Sequence, residues 1–333
     1  MKTVAIVTDA WAPQVNGVVH TLQRTCAELR SIGIEPTIFS PDAYRSVPCP
    51  TYPEIRLALM PGRELARRLD AARPDALHIA TEGPLGWAAR RHALDARLPF
   101  TTAYHTRFAE YLRARTGVPL AIGYRVLRRF HQPSSCVMVP TRAVQMELQR
   151  HGFERTELWG RGVDTELFSP APSNVFDGLP RPIFLSVGRV AIEKNLDAFL
   201  RLPLPGSKVI IGDGPRRALL QRRFPDAIFL GARAHAELPA FYRAADVFVF
   251  PSLTDTFGLV LLEAMGCGLP VAAYPVAGPL DVVGDSGAGV LRDDLREACM
   301  AALAIDRDHA RRHAMSRTWS QATERFAALL HPR

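Results

Sequence analysis

Two apolar runs rich in strand-forming residues, Val247-Phe248-Val249-Phe250 and Val271-Ala272-Ala273-Tyr274, bracket a polar turn and a helix-like segment. Strand, turn, helix, strand is the pattern of a βαβ unit, and it confines a chain to layered α/β architectures. The alternation extends in both directions. Strand-like runs lie at residues 4–7, 36–39, 76–79, 99–103 and 136–139, and again at 183–187, 208–211 and 228–231. Helix-like segments separate them, among them 18–29, 63–72, 143–151 and 238–245. The two series are parted by an irregular stretch, 158–170, and a Pro- and Asn-rich one, 170–182. The expected organisation is therefore a first domain at 1–165, a linker at 166–182, a second domain at 183–305, and a helical tail at 306–333. A length of 333 residues also suits two domains of ordinary size. Beyond residue 274, Ala277-Gly278-Pro279 and Gly287-Ala288-Gly289 read as turns.

The net charge of +8 is unevenly placed. Residues 1–160 hold 21 Lys+Arg against 14 Asp+Glu, and residues 161–333 hold 20 against 19, so the excess is +7 in the first half and +1 in the second. A basic half suits nucleic acid, an anionic membrane surface or phosphorylated substrates; Arg-rich helix faces that merely keep the protein dissolved are the plainer account. Five cysteines, at 26, 49, 136, 267 and 299, form no Cys-x-x-Cys pair, which argues for a reducing compartment and against a disulfide frame or a zinc site. The apolar start at residues 4–7 is too short for the core of a signal peptide. No stretch approaches the roughly 20 apolar residues of a membrane span. A cytoplasmic protein is expected. Leu120, Tyr124, Leu127 and Phe130 recur at helical spacing beside Arg125, Arg128 and Arg129. Such a stripe can lie in a lipid headgroup layer or face the core of its own domain.

Several residues stand out for their chemistry. Glu263 is set among Leu261, Leu262, Ala264 and Met265; either it points to water or something holds it, because burying an unpaired charge is expensive. Asp255 lies in the turn before it. Lysines occur only at 2, 194 and 208 in a chain with 38 arginines, which hints that a compact ammonium is wanted at Lys194. Gly17 follows Asn16 between a strand and a helix, an arrangement that brings backbone amides to an anion. Gly212-Asp213-Gly214 is a second close-approach loop, without the full Gly-x-Gly-x-x-Gly fingerprint of a dinucleotide site. His105 ends a strand-like run, at the edge where parallel sheets bind ligands. Asp306-Arg307-Asp308, in the polar tail, reads as a solvated face and not a metal site.

The frame Pro251-Ser252, Phe257-Gly258, Leu262-Glu263-Ala264 and Gly268-Leu269-Pro270, with seven residues between Asp255 and Glu263, resembles the signature of the retaining glycosyltransferases of family 4. Tyr104-His105-Thr106, Arg161-Gly162-Val163-Asp164, Gly188-Arg189 with Glu193-Lys194-Asn195, and Gly212-Asp213-Gly214-Pro215 extend the likeness over nearly the whole chain. Asp255 departs from it, standing where the family usually has Glu, and Asn16 replaces one of two glycines. The resemblance implies the GT-B fold: two doubly wound, Rossmann-like domains facing a central cleft, with the tail crossing back onto the first. It implies transfer of a hexosyl unit, of mannose or glucose type, from a nucleoside-diphosphate sugar to an acceptor hydroxyl, giving an α-glycoside. His105, Asp255 and Glu263 would be the catalytic set. Gly17, Arg189, Lys194, Gly212, Phe257, Gly258, Leu259, Val260 and Glu263 would hold the donor, with Arg189 and Lys194 on the leaving diphosphate, Asp255 on sugar hydroxyls and Glu263 on the ribose. No cofactor and no metal ion is implied. The basic first half favours a lipid or lipid-linked glycan as acceptor and an anionic membrane surface as partner, peripheral at the inner face of the membrane, with no nucleic acid. UDP and GDP stay open as donor nucleotides. A nucleotide-sugar epimerase or hydrolase, and a non-enzymatic basic membrane-surface or nucleic-acid-binding protein, are the alternatives.

Overall fold

The computed structural model describes residues 1–14, 16–49 and 52–332. The chain forms two compact units, residues 1–160 with 319–333, and residues 161–318.

The first unit contains strands β1 (Thr3–Val7), β2 (Glu35–Phe39), β3 (Ser46–Cys49), β4 (Tyr52–Ala58), β5 (Ala76–Ile79), β6 (Thr101–Ala103), β7 (Cys136–Val139) and β8 (Thr156–Leu158). Six of them make a parallel sheet in the order β2-β1-β5-β6-β7-β8, while β3 and β4 form an antiparallel pair. Strand β1 shows why the sheet is covered on both sides. Val4 and Ile6 pack with Leu22, Cys26, Leu29, Trp159 and Phe326, whereas Ala5 and Val7 pack with Leu65, Leu69, Leu85, Ala89 and Phe130. Alternate residues thus meet opposite helix layers, so the strand reads as a continuous apolar run.

The second unit repeats the plan with β9 (Ile183–Val187), β10 (Ser207–Ile211), β11 (Ile228–Gly231), β12 (Val247–Phe250), β13 (Val271–Ala273) and β14 (Gly289–Leu291). Its parallel sheet runs β11-β10-β9-β12-β13-β14. Phe248 and Phe250 face Tyr242, Leu261, Leu262 and Met265; Val247 and Val249 face Leu196, Phe199, Leu295 and Cys299. The opening βαβ unit is there: helix Leu259–Gly266 connects β12 to the parallel β13.

Two expectations change, and one alternative is decided. The stretch read as a linker is folded into the second unit, where Phe168 and Phe176 join the core, as does Val163, which the sequence placed in the first domain. Arg311 secures it by donating to the carbonyl oxygens of Thr165, Phe168 and Gly266. Ala277-Gly278-Pro279 is not a turn but the first part of helix Ala277–Val282, and Gly289 opens strand β14. Gly278 is tolerated in that helix because a β-carbon there would lie 2.7 Å from the Phe257 carbonyl oxygen, so packing demands the glycine. Of the two readings left open for the stripe on helix Leu120–His131, the core-facing one holds: Tyr124, Leu127 and Phe130 are buried. What the same helix exposes is Ile122 and Val126, each at 47%, beside Arg125 and Arg129. The tail splits into helix Arg307–Met315, within the second unit, and helix Trp319–Leu329, within the first. No helix among the described residues is long and apolar enough to cross a membrane.

Candidate active site at the sheet switch points

Each parallel sheet reverses its strand order once, between β1 and β5 in the first unit and between β9 and β12 in the second. Outside the carboxyl ends of the strands, such a reversal leaves a crevice in which open α/β sheets take their ligands. In the second unit, β9 runs into Gly188-Arg189 and β12 into Pro251–Asp255, so the sequence motifs flank this crevice.

The loops after β9 and β12 are fastened to each other. Asn195, in the left-handed conformation at φ 51°, donates from Nδ2 to the Pro251 carbonyl oxygen at 3.1 Å. The Ser252 hydroxyl donates to the Glu193 carbonyl oxygen at 3.2 Å. Between these contacts, Lys194 Nζ lies 2.6 Å from Asp255 Oδ1. The other carboxylate oxygen of Asp255 is buried and has no hydrogen-bond partner among the described residues. The fold therefore brings Lys194 and Asp255 into one charged pair, and Arg189 precedes Lys194 on the loop after β9.

Gly212 follows β10 at φ 141°, and a β-carbon on it would sit 1.8 Å from the Gly188 carbonyl oxygen. Gly214 is likewise closed in, at 2.5 Å from the Val190 carbonyl oxygen. Val190 N donates to the Asp213 carbonyl oxygen at 2.9 Å. The close approach at this loop is thus to the protein's own backbone: Gly212 shapes the segment carrying Arg189.

Gly258, left-handed at φ 88°, precedes helix Leu259–Gly266, which carries no side-chain cap. Phe257 is buried, while Leu259 and Val260 form the half-exposed first turn. One turn on, Glu263 is buried and held at both oxygens: Oε2 accepts from the Tyr242 hydroxyl at 3.1 Å, and Oε1 lies 3.0 Å from His235 Nε2. Burial pushes the Tyr242 hydroxyl well above its ordinary pKa, with the Glu263 charge adding to the effect, so it stays a donor. Neither Tyr242 nor His235 was marked by the sequence, because each reaches Glu263 from a different turn of chain.

Gly17 and His105 lie in the first unit. Gly17 opens helix Gly17–Ser31, and Asn16 Oδ1 accepts from both Val18 N and Val19 N at 3.0 Å. The residue that replaces a glycine is thus an N-cap, and it occupies two amides of the first turn. His105, just past β6, is half-buried with its ring edge-on to Trp159 at 5.6 Å. At this unit's switch point the sequence reading missed Asp9. It is buried directly after β1, and its carboxylate accepts from the amides of Leu85 and Gly86 and from the Thr81 hydroxyl. Burial pushes its pKa up against those hydrogen bonds. Gly83 is glycine for its sake: a β-carbon there would meet Asp9 Cγ at 2.3 Å.

Comparison with known proteins bears on the whole chain. Residues 15–167 match the family model described as Glycosyltransferase Family 4, and residues 181–305 match one described as Glycosyl transferases group 1. The chain is 31% identical over 316 residues to a GDP-mannose-dependent alpha-mannosyltransferase of Mycobacterium tuberculosis, covering 86% of this chain and 83% of the relative. It is 26% identical to an alpha-monoglucosyldiacylglycerol synthase of Streptococcus pneumoniae, covering 98% and 84%. Among solved structures, Anabaena HepE in complex with UDP and glucose superposes with a TM-score of 0.74 at 17% identity, covering 98% of this chain and 99% of that one. At that identity the likeness speaks for the fold.

Proposed function

This chain belongs to glycosyltransferase family 4, and from that membership we propose that it transfers a mannosyl or glucosyl unit from a nucleoside-diphosphate sugar to a hydroxyl of a lipid or lipid-linked acceptor, with retention of the α-configuration. The observation that carries the reading is the pairing of Lys194 with Asp255 across the loops after β9 and β12, at the switch point of the second sheet.

The chemistry follows from what these groups can do. When the bond between the sugar's anomeric carbon and the donor phosphate breaks, negative charge collects on the leaving diphosphate. Arg189 can meet it as a planar fork and Lys194 as a point charge. The first-turn amides at Leu259 and Val260 add partial positive charge from the helix end. These groups supply the counter-charge a divalent ion would otherwise bring, so turnover should survive EDTA. Asp255, with one oxygen lacking a partner, accepts from sugar hydroxyls, and Glu263 receives the ribose hydroxyls in a carboxylate already oriented by Tyr242 and His235. Among the described residues, no nucleophile stands paired with a base in this crevice. The acceptor oxygen therefore attacks the face the diphosphate leaves from, and a phosphate oxygen takes its proton. His105, in the first unit, is assigned to the donor sugar.

The relatives named above direct the choice of GDP-mannose and UDP-glucose as first donors. Incubating each with a lipid acceptor and reading the new anomeric centre by NMR is the test. An α-glycoside is expected; a β-glycoside overturns the retaining mechanism, and release of nucleoside diphosphate at the same rate without acceptor makes the protein a hydrolase. The partner surface belongs to the same proposal. Ile122 and Val126, flanked by Arg125 and Arg129, would rest on an anionic membrane at its cytoplasmic face. Co-sedimentation with anionic vesicles that vanishes in neutral vesicles is the expected result.

A further inference from the structure

Lys194 is neutralised by a carboxylate of its own protein, and we infer that Asp255 competes with the donor's diphosphate for the Lys194 ammonium, so that the site favours a sugar-bearing nucleotide over the bare nucleoside diphosphate. The inference rests on the assignment of Lys194 to phosphate and Asp255 to sugar hydroxyls.

The geometry leaves Asp255 dependent on Lys194. Its Oδ1 is held by Nζ at 2.6 Å, its Oδ2 is buried with no hydrogen-bond partner among the described residues, and the side chains are only 17% (Asp255) and 27% (Lys194) exposed. Two neighbouring donors of these loops are committed elsewhere. Asn195 Nδ2 is spent on the Pro251 carbonyl oxygen, and the Ser252 hydroxyl on that of Glu193. A diphosphate that draws Lys194 away therefore strands a shielded carboxylate, and breaking such a pair is costly because one charge is left uncompensated. A nucleotide sugar repays this by presenting hydroxyls to Asp255. A bare diphosphate, the product of the reaction, has nothing to offer it. The pair thus penalises product binding and donor binding unequally, which amounts to specificity by a difference of affinities.

The experiment measures binding of UDP, GDP, UDP-glucose and GDP-mannose by calorimetry, extended into the millimolar range, to the wild-type protein and to Lys194→Ala, Asp255→Asn and the double variant, each first shown to unfold cooperatively. Asp255→Asn should bind the nucleoside diphosphate about tenfold more tightly, with a smaller gain for the sugar nucleotide. In the Lys194→Ala background the same substitution should gain nothing. If the gain persists without Lys194, it is long-range relief of repulsion between Asp255 and phosphate, and the inference is overturned. No gain in Asp255→Asn, with Lys194→Ala weakened, overturns the inference alone. Wild-type affinity in Lys194→Ala overturns the assignment of Lys194 itself.

Discussion

Gly212 illustrates how little room a single residue has at this site. Its φ of 141° already disfavours a side chain, and the Gly188 carbonyl oxygen occupies the place of a β-carbon. Gly212→Ala must push the loop after β9 away from the loop after β10, which moves Arg189. Thermal unfolding should fall by several degrees, as expected for a change of about 2 kcal/mol or more, and nucleotide affinity should fall with it. Tyr242 makes a complementary case. Removing its hydroxyl as Tyr242→Phe leaves one oxygen of the buried Glu263 without its donor, and urea unfolding should show a loss of about 1–3 kcal/mol. Retained stability in Tyr242→Phe would mean that water or His235 takes over the bond.

At the scale of the element, helix Leu120–His131 separates two roles that a sequence stripe runs together. Leu127 is 1% exposed and packed in the first unit, so Leu127→Ala should cost about 2–5 kcal/mol in chemical denaturation. Ile122→Asp combined with Val126→Asp touches only the exposed side and should change stability by no more than about 0.5 kcal/mol. That double variant should nevertheless lose co-sedimentation with anionic vesicles; unchanged co-sedimentation would remove this face from the membrane assignment. The helix also shows where the sequence was legible. Period and spacing gave the helix and five of the six strands of each sheet, because a parallel strand buried on two faces has few alternatives; the three-residue edge strands β8 and β14 went unmarked. They did not say which way the helix faced, since Ile122 and Val126 recur at the same spacing as the buried stripe. Nor could they give the hydrogen bonds of Glu263 to Tyr242 and His235, the capping by Asn16, or the carboxylate of Asp9 under Gly83. Those depend on loops brought together by the fold, and no local pattern encodes them. Lys194 and Asp255 were each legible as residues; their pairing was not.

At the scale of the molecule, the two units differ in how the chain supplies them. The second is one continuous piece, 161–318, containing all six strands of its sheet and both of the apolar layers that cover it. The first is closed by a segment from the far end of the chain: Phe326, Leu329 and Leu330 pack with Leu22, Cys26 and Leu29 in one buried cluster. A unit whose core is complete within one segment can fold alone, whereas one that lacks a helix exposes apolar side chains in its place. Residues 161–318 produced alone should therefore unfold cooperatively in urea, and should bind UDP or GDP, because Arg189, Lys194, Asp255 and Glu263 all lie within them. Residues 1–160 produced alone should bind a hydrophobic dye and aggregate, and fusing residues 319–333 to their end through a flexible linker should restore a cooperative transition. Cooperative unfolding of residues 1–160 without that helix would show that the cluster around Leu22 closes over itself, and that residues 319–333 contribute no more than a covering layer.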